Sequence, residues 1–303
     1  MNATENDIVA CYHILLGRDP DEAGLRNWKV LAAKGVPLTD IVQGFKGSPE
    51  YSAKQKSDSQ FRAETNGYVI YLDPRWADGV NLISGGGTYE PHVTKELRRI
   101  LSPESVFVDI GANVGLFTLM AASILTKGKV FALEPAHENL QLLYRSVTEN
   151  KFTNVTIYPY AATDRQKILR FGSWGPYCHV ASDADSDYVA GVALDELLPY
   201  QRIDVVKMDI EGHEPFALKG MERIIKQWSP TIFTEFNPSC LRDFAKVNPL
   251  DYLSALRGYG YQLHILQPGN SPTAASEKAV MDCWHQVNKV TDTLPLELMA
   301  TPL

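Results

Sequence analysis

Cysteine is scarce in this chain, four in 303 residues, and Cys11, Cys178, Cys240 and Cys283 contain no C-x-x-C pair. Such spacing gives neither a disulfide framework nor a zinc knuckle, so reduced thiols in a cytoplasmic protein are expected. Positive charge is also in deficit: 29 Lys and Arg stand against 36 Asp and Glu, a net −7. With no basic run to neutralise phosphates, a nucleic-acid partner is not expected. No stretch of about 18 apolar residues escapes interruption by Asp, Asn, Gly or a charge, so no membrane span is expected. The opening Met-Asn-Ala-Thr-Glu-Asn-Asp lacks a positive n-region and an apolar h-region, which argues against a secretory signal. Against these absences, 45% of the residues are hydrophobic, enough to bury a full core in one large domain or two.

The most informative stretch is Val106-Phe-Val-Asp-Ile-Gly-Ala-Asn-Val-Gly-Leu-Phe117. Val106 to Ile110 is a short apolar run of the kind that forms an inner parallel strand. Gly111 and Gly115 permit a sharp turn and close approach of a ligand, and the apolar run from Leu116 continues as a helix whose N-terminus the ligand would meet. The dinucleotide register G-x-G-x-x-G fails, because positions 113 and 116 are Asn and Leu. Asp109-x-Gly111-x-Asn113-x-Gly115 suits S-adenosylmethionine better: no pyrophosphate needs a cradle, and the Asp109 carboxylate can attract the cationic methionine end. The next strand, Lys129-Val-Phe-Ala-Leu-Glu134-Pro135, ends in an acid placed to accept both hydroxyls of a ribose.

Residues 1–60 read as a small helical module and 67–303 as a separate sheet domain. Ile8, Cys11, Tyr12, Leu15 and Leu16 keep helical spacing, Gly17-Arg-Asp-Pro20 is a turn, and Leu25, Trp28, Val30 and Leu31 begin a second amphipathic run. Asp19, Asp21 and Glu22 miss the ligand spacing of a calcium loop and read as capping acids in a solvated turn. Residues 52 to 66 read as an exposed helix end or linker. Beyond them, Tyr68–Leu72 and Asn81–Ile83 look strand-like and Tyr89 to Leu101 helical. From Asp109 strands and helices alternate, with a helix expected over Phe216–Gln227. Alternation of this kind means an α/β fold, a parallel sheet with helices on both faces. Tyr261–Ile265 and the final 25 residues are expected to add antiparallel edge strands.

The segments Asp109-Ile-Gly-Ala-Asn-Val-Gly115, Leu133-Glu-Pro135, Ile203-Asp-Val-Val-Lys-Met-Asp-Ile-Glu-Gly-His-Glu214 and Pro230-Thr-Ile-Phe-Thr-Glu235 together resemble the FkbM family of S-adenosylmethionine-dependent methyltransferases. The resemblance runs from about Gly67, including Gly87-Thr-Tyr-Glu-Pro91, to the C-terminus. It implies a Rossmann-like class I methyltransferase sheet, with Tyr89 and Glu90 reaching the cofactor beside Asp109, Gly111, Asn113, Gly115, Glu134 and Pro135. It also places Ala161 and Ala162 under the adenine and Asp209 and Glu211 in the site. Leu15-Leu-Gly-Arg-Asp-Pro-Asp-Glu-Ala-Gly-Leu-Arg-Asn-Trp28 with Ser48-Pro-Glu-Tyr51 resembles a helical module of unknown function that often accompanies cell-surface, glycan-related and methyltransferase domains.

Methyl transfer from a sulfonium is an in-line displacement, so the protein chiefly aligns an acceptor and, for a hydroxyl, removes a proton. The strand ends offer Asp209, Glu211, His213, Glu214 and Glu235, and His213 is attractive because imidazole titrates near working pH. Asp209, Glu235 and Asn237 are an alternative oxygen set for a divalent cation, although no metal is expected; Asp209 as a helix cap is the plain structural reading. Phe171 to Ala190, holding Trp174, Tyr177, His179 and Tyr188, is expected to cover the acceptor or to be an ordinary lid. Family members commonly methylate hydroxyls of sugars or of polyketides and other secondary metabolites. The helical module favours a saccharide or glycoconjugate, with a non-catalytic adapter as the rival.

Overall fold

Alternation of apolar faces explains the sheet at the centre of this computed structural model, which describes residues 3–16, 18–51, 62–73, 76–174, 177–180, 187–289 and 294–303. Ten residues of the expected linker, 52–61, lie outside the described ones. The chain divides into two compact units, Met1–Arg62 and Ala63–Leu303.

The first unit is all-helical, with helices Glu5–Cys11, Glu22–Ala33 and Leu38–Lys46 and a π-turn over Tyr12–Leu16. Its core is Ile8, Cys11, Tyr12, Ile41 and Phe45, with Trp28 stacked on Phe45 at 4.6 Å. Asp21 does cap the second helix, accepting from the Gly24 N–H at 2.8 Å.

The second unit carries the strands β1 (Arg62–Thr65), β2 (Tyr68–Tyr71), β3 (Val106–Ile110), β4 (Lys129–Leu133), β5 (Val155–Tyr158), β6 (Ala161–Ala162), β7 (Lys167–Trp174), β8 (Tyr177–Val180), β9 (Asp187–Val192), β10 (Val205–Met208), β11 (Thr231–Phe236), β12 (Tyr261–Leu266), β13 (Thr273–Ala275) and β14 (Leu296–Pro302). Eight of them form one sheet in the order β13-β12-β14-β11-β10-β3-β4-β5. β11, β10, β3, β4 and β5 run parallel, while β14, β12 and β13 are antiparallel additions. Both faces are buried: Val106, Val108 and Ile110 join one core cluster and Phe107 the other. The α/β, Rossmann-like architecture expected from the sequence is present. No helix among the described residues is long and apolar enough to cross a membrane.

Several local expectations are corrected. Asn81–Ile83 is helical, inside Ala77–Ser84, with Ile83 buried among β2 and its neighbours. The helix expected over Phe216–Gln227 is two, Glu214–Lys219 and Glu222–Trp228, broken at Gly220 where a Cβ would sit 2.0 Å from the Thr163 carbonyl. The described residues after β5 form a second sheet, β6-β9-β7-β8; residues 175–176 and 181–186 and the side chains of Trp174, Tyr177 and His179 lie outside the described ones. β14 is not an edge strand, since it pairs with both β11 and β12, and the helix Glu277–Val287 precedes it.

Candidate active site

Strand order reverses between β3 and β10: β4 and β5 continue to one side of β3, and β11 to the other side of β10. A crevice opens beyond the carboxyl ends of strands at such a switch point. Here it is a cavity of about 670 Å³, and its walls include Gly111 and Asn113 after β3, Glu134 and Pro135 after β4, Asp209 and Glu211 after β10, and Glu235 on β11. Tyr89, Glu90, Ala161, Ala162 and His213 complete the set of sequence candidates on its walls.

The loop after β3 is shaped by left-handed backbone. Gly111 has φ +80, and a Cβ there would lie 2.1 Å from the Asp209 carbonyl, so β3 and β10 approach this closely only with glycine. Asn113 (φ 52), Glu90 (φ 41) and Glu211 (φ 53) adopt the same region without being glycine, and all three line the cavity. Residues held there cost conformational energy and gather at functional sites.

Glu134 is fixed by the loop it faces. One oxygen accepts from the Asn113 N–H at 2.8 Å and the other from the Ala136 N–H at 2.7 Å. Burial pushes its pKa up to about 7, and the two backbone donors and the Asn139 side chain pull it back. Each carboxylate oxygen has a second lone pair, so Glu134 retains capacity for the hydroxyls of a ribose.

Asp109 and Gly115 depart from expectation, because neither forms the cavity wall. Period-two alternation turns Asp109 to the face shared with Phe107, beneath the loop, where it is 1% exposed. Its Oδ2 accepts from Thr118 Oγ1 at 2.6 Å, and burial raises its pKa. The carboxylate expected to meet the cofactor's cation therefore braces the helix Leu116–Ile124. Gly115 serves packing: a Cβ there would lie 2.5 Å from Leu143.

The strand-end acids differ in role. Glu235 is buried, and its Oε2 has no hydrogen-bond partner among the described residues. Burial, with the carboxylates of Asp209, Glu211, Glu214 and Glu297, pushes its pKa well up. Glu211 is pushed up to about 7 by burial and Asp209. Asp209 caps no helix, since the following helix starts at Glu214 behind His213; it accepts an ion pair from Lys207 at 2.9 Å. Glu214 is no wall residue either, for its Oε1 accepts from the Ile210 N–H at 2.9 Å. His213 is buried, its Nε2 within 3.2 Å of Thr163 Oγ1, and burial with Lys167 nearby lowers its pKa to about 4. The imidazole stays neutral at working pH and is a weaker base than its ordinary value suggests.

Among the described residues no group of three or more His, Cys, Asp or Glu side chains could hold a metal ion. Asn237 from the alternative oxygen set uses its Oδ1 on the N–H groups of Ser239 and Cys240, at 3.2 and 3.3 Å.

Two charged wall residues escaped sequence reasoning. Lys207 is a cation in an otherwise apolar strand, Val-Val-Lys-Met, and is 2% exposed. Glu297 on β14 stands opposite Glu235 in register. A charge inside an apolar strand was the available signal for the lysine; Glu297 could be found only from the pairing.

Among solved structures, the FkbM methyltransferase of Methylobacillus flagellatus KT is 17% identical, covering 93% of this chain and 71% of that one at a TM-score of 0.43. An rRNA methylase from Streptococcus thermophilus is 16% identical, covering 70% and 94% at 0.43. M. jannaschii TYW2, solved in complex with AdoMet, is 13% identical, covering 80% and 81% at 0.39. No curated protein matches the chain. Residues 2–55 match a domain of unknown function (DUF4214). Residues 109–263, just over half of the 303, match the methyltransferase FkbM domain, and the chain belongs to that family of S-adenosylmethionine-dependent methyltransferases.

Proposed function

We propose that this protein transfers a methyl group from S-adenosylmethionine to a hydroxyl of a saccharide or glycoconjugate. The observation that carries the O-methylation reading is Glu235: a buried carboxyl on the wall of the switch-point cavity, with one oxygen left unpartnered among the described residues. When bound, S-adenosylmethionine supplies an electrophilic methyl group and leaves as a thioether. Glu134 holds the ribose hydroxyls, Gly111 and Asn113 bring backbone close to the nucleoside, and Ala161 and Ala162 provide an apolar floor for the base. Glu235 would take the acceptor's hydroxyl proton, helped by the raised proton affinity that burial and the acids Asp209, Glu211 and Glu297 impose.

The rest of the walls supports a saccharide as the acceptor. Trp76, Phe117, Phe171 and Phe244 give apolar faces, and Glu90, Asp209, Glu211, Glu235 and Glu297 give hydroxyl-accepting oxygens. Lys207 is the only Lys or Arg among the described wall residues. Such an excess of acids over one cation disfavours phosphate and carboxylate groups, whereas sugar rings offer apolar faces and hydroxyl donors together. The test is incubation with S-adenosylmethionine and a panel of neutral and anionic saccharides, reading S-adenosylhomocysteine and methylated product by mass spectrometry. Methyl ethers on neutral sugars, lost in Glu235→Gln, support the reading. Product only on anionic acceptors, or undiminished turnover in the variant, sinks it.

A further inference from the structure

Lys207 has a place in the site that the reaction above does not use. It is fully enclosed on β10, its ammonium donating to Asp209 Oδ2 at 2.9 Å and lying 4.5 Å from the centroid of the Phe117 ring. Burial opposes its charge, but Asp209, Glu90, Glu297 and Asp109 outweigh that and keep it an ammonium. An ammonium carries three protons, and the bond to Asp209 uses one. Glu90, at the start of the helix Pro91–Ile100, lines the same cavity, and its Oε2 is shielded from solvent with no hydrogen-bond partner among the described residues.

The methyl donor brings an amino-acid group into this crevice, one carboxylate and one ammonium. A carboxylate placed among six acids is disfavoured unless it meets a cation, and the only Lys or Arg on the described walls is Lys207. An ammonium removed from water needs an acceptor, and Glu90 has an oxygen without a donor. We propose that Lys207 and Glu90 form a clamp for the amino-acid end of S-adenosylmethionine, Lys207 binding its carboxylate and Glu90 its α-ammonium. The clamp rests on the cofactor reading and adds to it the two residues that recognise the zwitterion.

The experiment is calorimetric binding to the full-length protein of S-adenosylmethionine and of its decarboxylated form, which keeps the sulfonium and an amine. Wild type is expected to bind the decarboxylated form roughly 30-fold more weakly, as for loss of one partner of a buried charge pair. Lys207→Met should weaken S-adenosylmethionine to about that level while leaving the decarboxylated form within roughly threefold. Glu90→Gln should weaken both. Equal binding of the two probes by wild type, or equal weakening of both by Lys207→Met, overturns the clamp while leaving the cofactor reading standing. Should Lys207→Met fail to fold, Lys207→Gln, which keeps a donor toward Asp209 but carries no charge, takes its place with the same two outcomes. Failure of wild type to bind either probe overturns clamp and cofactor reading together.

Discussion

At the scale of single residues, the site is a set of acids separated by what surrounds each. Glu134 is anchored by two backbone N–H groups, Asp209 by an ammonium, and Glu235 keeps one oxygen unpartnered. The acid with spare capacity is the one suited to receive a proton. Glu235→Gln should therefore reduce kcat by roughly 100-fold or more while leaving S-adenosylmethionine affinity unchanged, since general bases contribute on that scale. A parallel loss of affinity by calorimetry would show that the residue binds the cofactor instead. The neighbours set its titration: the negative charge of Glu211 raises the proton affinity of Glu235. In Glu211→Gln the rising limb of the pH–kcat profile should move to lower pH, because the base loses its proton more easily. An unmoved limb would separate Glu211 from the proton transfer. His213, lowered to about 4, is not expected to produce a limb between pH 5 and 8.

At the scale of elements, the turn between β3 and its helix is where sequence and structure agree most closely. Gly111 combines φ +80 with a Cβ position 2.1 Å from the Asp209 carbonyl just beyond β10. Gly111→Ala is expected to cost roughly 1–3 kcal/mol in strain alone, plus displacement of β10, and to lower the thermal midpoint. An unchanged midpoint would mean the loop relaxes without cost. Strand ends and glycine turns were legible because period-two burial and left-handed backbone leave marks in neighbouring residues. Asp109 shows the limit: its position at a strand end was readable, but which face it takes depends on the helix packed against it, and Thr118 claims it. Asn81–Ile83 was misread because a three-residue apolar run fits strand and helix alike. Lys207 and Glu297 needed the fold, one because its partners come from four different segments, the other because Glu235 and Glu297 meet only through the register of β11 with β14.

At the scale of the whole molecule, buried acids make stability depend on pH. Unfolded, Glu214 titrates near the ordinary 4.5; folded, burial holds its proton to about 7. Its contribution is full below about 4.5 and is lost as the pH rises through about 7. Glu134 acts in the same sense. His213 acts oppositely: its contribution is present above 6.5 and is lost as the pH falls through about 4. Glu214→Gln keeps an oxygen for the Ile210 N–H and removes the titration. Its urea midpoint relative to wild type is therefore expected to rise between pH 5 and pH 8, and a constant difference would refute the assignment. The position of β14 has a consequence of another kind. It follows β12 and β13 in the sequence yet lies between β11 and β12 in the sheet. During synthesis the β12–β13 hairpin emerges with no seat on the growing sheet, and it docks only after β14 has slotted in beside β11. A ribosome-bound chain halted before Leu296 thus already holds the nucleoside-facing loops but lacks Glu297, so the cavity becomes whole only once β14 is in the sheet.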